Sequence, residues 1–269
     1  MKTAILLLFV LMNATNSYTQ VAAKELLIKS YQQAALSQQI TKNYVSIVLK
    51  IDKKENRIKL QNDALAFSDE LEELEIGLIS IGLQGQLAKL QTAWFEYKAV
   101  LFGGGYTKKK ITELAKANVK LLEASEEVSK VLARAVERQG SKMLTEEYDD
   151  LQILKMVGEQ SIYAHTIPTY YMLKTVGLKH QLCEQPYHKC IINYENNLQK
   201  IIPIADTHKQ LTETVTTNLL YWSALEKICT KLKIESESID EFNPLLQAST
   251  GLATTNQLLL NEILRLSYE

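Results

Sequence analysis

The sequence predicts an all-α protein whose long antiparallel helices form helical bundles, and three observations support this fold class. Only 10 Gly and 4 Pro occur in 269 residues, too few for a turn-rich all-β fold. Apolar residues recur at alternating steps of three and four along most of the chain, which is the heptad spacing of packed helices. The resulting apolar stripes are narrow, as in the nearly parallel helices of up-and-down bundles.

The amino terminus predicts a secretory signal peptide over residues 1–20. A lysine is followed by the apolar run AILLLFVLM and then by the polar stretch NATNSYTQ, which is the order of regions in such a leader. The run is too short to cross a bilayer, which needs roughly 20 apolar residues. We expect cleavage after Gln20, with Ala22 or Ala23 as alternatives, and a periplasmic or secreted protein. An uncleaved membrane anchor is the competing interpretation.

The helices that follow are marked by apolar stripes and by the breaks between them. One stripe runs from Ile111 to Ala135, a second from Leu211 to Leu232, and a third contains Leu245, Leu252, Leu259 and Leu266. Three glycines at 77, 82 and 85 weaken the helix prediction there. Further breaks are expected at 51–56, 103–105, 139–145, 177–186, 203 and 235–240.

Composition and motifs argue against several classes of function. Lys and Arg number 30 against 31 Asp and Glu, so the chain has no basic surface of the kind that binds nucleic acid. The sequence contains no Gly-rich phosphate loop after a strand, no G-x-S-x-G, no H-E-x-x-H and no CxxCH. We therefore expect no enzyme, no cofactor and no nucleic-acid partner. The run FGGGYTKKK predicts a turn between helices, and DELEELE (69–75) predicts a solvated helix face.

A repeat divides the chain into two halves, residues 21–145 and 146–269. The two tryptophans, Trp94 and Trp222, correspond to each other, and the segment LLEAS beginning at Leu121 recurs as LLQAS. The tryptophans match one residue later than the Gln and Tyr pairs do, and a register kept through Gln, Tyr and Trp is harder to obtain by chance than one through Leu and Ile alone. At one constant offset, Leu27, Gln33, Ile40, Tyr44, Phe67 and Leu71 recur as Leu154, Gln160, Ile167, Tyr171, Tyr194 and Leu198.

The repeated segment resembles a known family. "LSQQITKNYV" is similar to the "LSQR-IAK-YL" core of the PilJ-like N-terminal sensor domain of type IV pilus methyl-accepting chemotaxis transducers, which is related to nitrate/nitrite sensor domains. The match covers Gln33, Leu36, Ser37, Gln38, Ile40, Lys42 and Tyr44 in the first half and Gly158, Gln160, Ile167 and Tyr171 in the second. The resemblance implies two tandem helical sensor units.

The same segment departs from the family where an anion would be held. The family has arginines around the Gln and after Ser-Gln, and in the nitrate sensors a box arginine is implied to bind the anion. This chain has Gln32, Ala34 and Gln39 at those places, and Glu159, Ser161 and Thr166 in the second half. Because glutamine offers only neutral hydrogen bonds where arginine offers a charged fork, we expect a neutral polar ligand or a weakly held anion.

The candidate ligand site therefore consists of polar residues on the first helix of each half. Glutamines on a bundle helix are also commonly solvated, or hydrogen-bonded between helices, so that interpretation stays open. Lys42 is expected at the surface, and Tyr44 and both tryptophans in the core. Pro168 is expected to kink its helix, which would open a pocket beside His165 or mark a decayed repeat. The candidate ligand-binding residues are Gln32, Gln33, Ser37, Gln38, Gln39, Gln160 and His165.

The segment HQLCEQPYHKC, from His180 to Cys190, allows three interpretations. Cys183 and Cys190 flank a proline-containing stretch in a protein expected to be exported, which predicts a disulfide. A metal site formed by His180, Cys183, His188 and Cys190 has suitable ligand types but no standard spacing, and two free thiols are the third interpretation. Cys229 is expected to be a buried free thiol.

These observations together predict an exported, non-catalytic sensor-type protein without a signalling module. It would bind a small polar ligand, a membrane-bound signalling partner, or both, and a homodimer is compatible with either role. The alternative is a periplasmic structural or protein-interaction bundle whose ligand site has lapsed.

Overall fold

The computed structural model describes residues 2–178, 180–231 and 242–268, with side chains over 22–178, 186–229 and 242–268. Within these ranges every regular element is an α-helix, which confirms the predicted all-α class. The predicted leader and the predicted break at 235–240 lie outside the described side chains. The helices are α1 (Lys2–Val48), α2 (Lys53–Ser80), α3 (Gln84–Phe102), α4 (Lys108–Gln139), α5 (Asp150–Thr175), α6 (His180–Thr207), α7 (Lys209–Lys231) and α8 (Phe242–Leu266).

Helices α1 to α4 form an up-and-down four-helix unit. Short connections join consecutive helices, which makes neighbours antiparallel, and α1 packs against both α2 and α4 while α3 closes the unit against α4 and α2. Its core contains large side chains with no exposed area, among them Tyr44, Phe67, Leu74 and Tyr97. Phe67 and Trp94 lie against each other with ring centroids 4.1 Å apart.

Helices α5 to α8 repeat this arrangement. α5 packs against α6 and α8, and α7 closes the unit against α8 and α6. Tyr194 and Trp222 stack with ring centroids 4.2 Å apart, in the places that Phe67 and Trp94 occupy in the first unit. Both tryptophans are buried, as predicted. The predicted boundary at 145/146 falls in the connection between α4 and α5.

The two units meet through α1 and α5, and we call this contact the seam. The residues that touch across it keep nearly the same separation in sequence along its whole length: Lys24 binds Asp150, Lys42 meets His165, and Ser46 meets Met172. Two helices whose contacts advance together in this way run parallel. The first helix of one unit therefore lies alongside the first helix of the other.

The seam is close-packed at its centre because one helix has a glycine there. A Cβ atom added at Gly158 would lie 2.4 Å from the ring of Tyr31, so the aromatic ring of α1 rests directly on the backbone of α5. Tyr31 is only 7% exposed. Glycine is the one residue that permits this approach without moving either helix.

Three connections end their helices where the sequence predicts a break. α1 ends before the turn at 49–52, α3 ends at the glycine run, and α4 ends at Gly140, whose φ of 96° favours glycine. The next helix starts carry capping groups: the Thr107 hydroxyl accepts from Lys110 N, and Asp149 and Gln152 form a capping box. FGGGYTKKK is thus an interhelical turn, and in DELEELE Leu71 and Leu74 are buried beneath a largely exposed acidic face.

One predicted break in the second half is shorter than expected, and another is displaced. The break at 177–186 is present at Gly177, whose φ is 80°, but it ends where α6 begins at His180. The helix then continues through Pro186 and Pro203 to Thr207. Pro186 is past the first turn of α6, and the first turn is where proline is tolerated best. Beyond Pro203 only one further helical turn follows before the chain leaves the helix at His208.

The continuous α6 also corrects the predicted disulfide. Cys183 and Cys190 lie seven residues apart on one helix, a rise of about 10 Å, whereas a disulfide joins Cα atoms roughly 4.4–6.8 Å apart. Cys190 is accordingly a free, buried thiol in the structure, and the side chain of Cys183 lies outside the described residues. None of the helices within the described residues has both the length and the hydrophobicity needed to span a bilayer.

Candidate functional site

The glutamines of the predicted ligand site contact three different helices. Gln38 and Asn118 of α4 exchange two amide hydrogen bonds of 3.2 and 3.0 Å. Gln32 donates to Gln257 of α8 at 2.7 Å, and Gln39 donates to Asp63 of α2 at 3.0 Å. The residues therefore hold α1 to its neighbours and do not converge on one cavity.

Ser37 lies beside these glutamines, and among the described residues it forms hydrogen bonds only within α1. Its hydroxyl donates to the carbonyl oxygen of Ala34 at 2.7 Å and accepts from the Gln38 amide at 3.0 Å. Ser37 and Gln38 are 0% and 1% exposed. Their polar groups satisfy each other and the helix backbone, as buried polar groups generally must.

Gln33 and Gln160 are the exception, and they are equivalent in the two units. Each donates its Nε2 to a backbone carbonyl of the following helix at 3.3 Å, Gln33 to Phe67 and Gln160 to Tyr194. Both side chains are buried, and the Oε1 atom of each has no hydrogen-bond partner among the described residues. The two units thus keep an equivalent buried acceptor that a donor group or a water molecule would satisfy.

A second polar group, which we call the seam cluster, consists of Lys42, His165 and Ser249. Lys42 of α1 reaches across the seam to Nδ1 of His165 on α5 and to Oγ of Ser249 on α8, at 3.0 Å each. Because Nδ1 accepts from the ammonium, the neutral imidazole carries its proton on Nε2. Only 5% or less of each of the three side chains is exposed.

Pro168 explains why Ser249 takes part in the seam cluster. Proline has no N–H, so the carbonyl of Ala164, four residues earlier in α5, loses its helical donor. The Ser249 hydroxyl donates to that carbonyl at 2.7 Å, and its oxygen accepts from Lys42. The chain of bonds from Lys42 through Ser249 to Ala164 thus links all three helices.

Burial sets the electrostatics of the seam cluster. Desolvation lowers the pKa of Lys42 to about 8, although Asp63 acts in the opposite direction. Desolvation, reinforced by the charge on Lys42, holds the pKa of His165 well below its usual 6.5. Lys42 was expected at the surface, and that prediction is wrong because its ammonium group is used inside the protein.

The seam cluster combines a lysine, a histidine and a serine, which are residue types found in hydrolases. In this structure the Ser249 hydroxyl has no exposed area and its proton is given to a backbone carbonyl. A nucleophile must be reachable by its substrate and hydrogen-bonded to its base. The observed geometry instead joins helices, and it places a cation in the interior without a hydrogen-bonded carboxylate.

The sequence missed Lys42 and Ser249 as members of one site. Ser249 was recognised only as part of the repeated segment LLQAS. A usable signal exists in retrospect, because Pro168 deprives one identifiable carbonyl of its donor and a serine on a neighbouring helix can replace it. Nothing in the sequence indicates which helix supplies that serine.

The remaining predicted residues are structural in their contacts. Glu159 is half-buried, accepts from Asn197 at 3.1 Å, and has its pKa raised chiefly by desolvation. Ser161 and Thr166 donate to carbonyls of their own helix. Cys229 is a partly buried free thiol whose pKa is raised to about 11 by desolvation.

The described residues do not form a metal site. Within the described ranges no group of three or more His, Cys, Asp or Glu side chains is placed to hold an ion. The side chains of His180 and Cys183 lie outside those ranges, so the alternative metal site remains a prediction.

Comparisons of the chain with models of protein families, with curated proteins and with solved structures found no match.

Proposed function

We propose that the protein is an exported, non-catalytic helical interaction module built from two duplicated sensor-type units of PilJ-like character. The observation that supports this best is that the glutamines and Ser37 of the expected ligand site are bonded to other helices or to their own backbone. On this view the ligand site of the ancestral unit has been converted into a structural layer, and the module works through its surfaces.

The duplication is supported by equivalent details in the two units. Gln33 and Gln160 make the same bond to the next helix with the same length, and each unit has a tryptophan stacked on an aromatic ring. The helices also pair in the same order in both units. Independent bundles have no reason to share such contacts at one constant offset.

Export is proposed on the leader-like amino terminus, and the fold argues against one of the three cleavage points. Ala23 is 3% exposed and Lys24, which pairs with Asp150, is 1% exposed. Cleavage after Ala23 would place a new charged amine on the buried Lys24, whereas cleavage after Gln20 or Ala22 retains both residues. Amino-terminal sequencing of the exported protein should therefore begin at Val21 or Ala23 and not at Lys24.

A second candidate function, binding of a small polar ligand, is favoured by one specific observation. Gln33 and Gln160 each keep a buried Oε1 without a partner at corresponding positions. A ligand rich in N–H or O–H donors would satisfy these acceptors. Its entry requires helices to separate around two residues that are buried in the closed structure.

A thermal-shift screen with neutral polar metabolites, nitrate and other oxyanions distinguishes the two functions. A ligand at a hundredfold over its dissociation constant should stabilise the protein by about 2.7 kcal/mol. If the protein is an interaction module, no compound in the panel should raise its melting temperature. A stabilising compound whose effect is lost in Gln33→Met/Gln160→Met, but kept in the control Gln91→Met, would overturn the interaction module in favour of ligand binding.

A further inference from the structure

Helices α2 and α3 carry a row of exposed large apolar side chains on the outer side of the first unit. On α2 they are 46–75% exposed and on α3 54–72% exposed. Apolar residues that are scattered singly need no explanation, but a contiguous row of them marks a contact surface. The row, which we call the outer face, consists of Ile58, Leu65, Ile76, Ile79, Phe95 and Phe102, and on α2 the exposed Asp69 and Glu72 lie between Leu65 and Ile76.

The α2 and α3 parts of the outer face flank the line where α2 meets α3. That line is fixed by two hydrogen bonds of 3.2 Å, from Trp94 Nε1 to Ser68 Oγ and from Gln91 Nε2 to Glu75 Oε2. Leu65 precedes Ser68 by three residues and Phe95 follows Gln91 by four, and residues so spaced are neighbours on a helix surface. Both side chains therefore lie on the solvent side of the α2–α3 contact.

The charges along α2 are arranged against its own dipole. A helix favours acidic residues at its amino end and basic residues at its carboxyl end. In α2 the first seven residues contain four basic side chains and one acidic side chain, and residues 69–75 contain five acidic side chains. Burial and the neighbouring charge of Glu73 raise the pKa of Glu70 to about 7, as expected where negative groups crowd together.

A second α2 helix lying antiparallel on the first would compensate both ends at once. In an antiparallel pair, contacting residues have a nearly constant sum of residue numbers. A register with a sum of about 132 places Ile58 within two residues of the position opposite Ile76 of the second copy, and Leu65 within two residues of the position opposite its own equivalent. The same register sets Arg57 and Lys59 opposite Glu75 and Glu73 of the second copy. Arg57 and Lys59 then each meet an acidic side chain of the second copy on the same side of the apolar row.

We propose that the outer face of α2 and α3 is the contact of a twofold-symmetric homodimer, in which α2 packs antiparallel on α2 of a second copy. A twofold contact uses the same surface on both chains and must therefore be complementary to itself. The outer face meets that requirement through its central apolar row and its opposite charges at the two ends. The ion pairs that Lys59 and Glu73 make now, with Glu55 and Lys29, are exposed at 2.6 Å and are weak enough to be exchanged.

This proposal goes beyond the interaction-module function by naming a partner and a surface, and it stands or falls separately. A ligand found by thermal shift would overturn the interaction module and leave the dimer untouched. A monomeric protein would overturn the dimer, whatever the thermal-shift screen shows.

Sedimentation velocity over a micromolar concentration series tests the dimer on the full chain in its exported form. The parent protein should sediment as a dimer, and Leu65→Glu should raise the dissociation constant at least tenfold. Ile192→Glu is a matched control, because Ile192 occupies the equivalent place on α6 and is 55% exposed where Leu65 is 65% exposed. A monomeric parent, or equal effects of the two variants, would overturn the proposal.

A charge exchange provides a test that does not depend on the apolar row. Arg57→Glu should weaken the dimer because two acidic surfaces then face each other. Arg57→Glu/Glu75→Arg should restore it, since opposite charges again meet across the twofold axis. Circular dichroism of every variant shows whether the fold is retained, and failure of the exchange to restore a dimer in a folded protein contradicts the register.

Discussion

Lys42 places its Nζ atom between a histidine nitrogen and a serine oxygen, both of them neutral acceptors. The nearest carboxylate that acts on it, Asp63, accepts instead from Gln39 and Asn43 at 3.0 and 2.7 Å. An ammonium group taken out of water costs free energy that two neutral hydrogen bonds offset only in part. The buried ammonium group of the seam cluster therefore lowers the free energy of unfolding of the protein.

Replacing Lys42 with methionine should stabilise the protein at pH 7. The pKa of Lys42 falls from 10.5 to about 8 on folding, a cost of roughly 3 kcal/mol, of which about 1 kcal/mol is lost again when His165 loses its donor. Urea unfolding at pH 7 should therefore show Lys42→Met to be more stable by about 2 kcal/mol. Lys116→Met, at an exposed position on α4, should show no gain.

The pH dependence of this difference follows from its sign. Between about pH 8 and 10.5 the unfolded chain keeps a proton on Lys42 that the folded chain has released, so parent stability rises with pH in that window. The advantage of Lys42→Met should shrink accordingly. An advantage that is constant from pH 7 to pH 10 would show that the lysine is not desolvated.

His165 should make the protein acid-sensitive. Its folded pKa lies well below 6.5, so below pH 6.5 the unfolded chain takes up a proton that the folded chain does not, and stability is lost as the pH falls. Denaturant unfolding of the parent and His165→Asn from pH 7 to 5 should show the parent losing more, by up to about 1.4 kcal/mol per pH unit. His188→Asn, on an exposed residue, should behave like the parent.

At the residue scale, the sequence predicted correctly that the large aromatic residues are buried. It did not predict which residues the buried polar side chains contact. Tyr44 and both tryptophans are core residues as predicted, because their size alone requires burial. Lys42 was assigned to the surface, since lysine is almost never buried. Its position follows from a freed carbonyl on α5 and a serine on α8, and no local pattern in α1 contains that information.

At the scale of elements, α5 is the helix of the second unit that packs against α1 of the first unit. Gly158 of α5 determines how closely these two helices approach. Gly158→Ala should destabilise the protein by about 1–3 kcal/mol, since the added methyl group would meet the ring of Tyr31 at 2.4 Å and the ring is buried. Gly85→Ala is a control with the opposite sign. It has open space around it in α3 and should gain up to about 1 kcal/mol.

Guanidinium unfolding of Gly158→Ala and Gly85→Ala measures how each substitution changes the free energy of unfolding. Equal gains in both would mean that α1 and α5 are further apart than the structure has them.

Helix boundaries were predicted best where glycine ends a helix and worst where proline lies within one. The breaks at the glycine run and near Gly140 are confirmed, because positive φ and missing side chains act locally. The break predicted at 177–186 is present at Gly177 but is shorter than predicted, because α6 already begins at His180 and continues through Pro186. The disulfide prediction failed for the same reason, since it required the two cysteines to flank a loop.

At the scale of the whole molecule, the repeat predicted two units and could not predict how they meet. The constant offset established which residues correspond, but a parallel or an antiparallel seam is equally compatible with it. The parallel arrangement depends on long-range contacts such as Lys24 with Asp150 and Tyr31 on Gly158. In that arrangement corresponding residues face each other, as they would across the twofold axis of a parallel dimer.

Exchanging Tyr31 and Gly158 tests this pseudo-symmetry, because the two positions correspond in the repeat and touch across the seam. Tyr31→Gly should cost about 3–5 kcal/mol through the cavity it leaves, and Gly158→Tyr should overpack the seam. In the double variant the ring enters the same space from the opposite helix, so a double-mutant cycle should show favourable coupling of at least about 2 kcal/mol.

The matched control is the contact of Tyr221 on Gly251, where an added Cβ would also meet a ring at 2.4 Å but the two positions do not correspond in the repeat. Exchange at that pair should recover little. A Tyr31–Gly158 double variant as unstable as the sum of its singles would mean that the two halves are not related by a twofold axis along the seam.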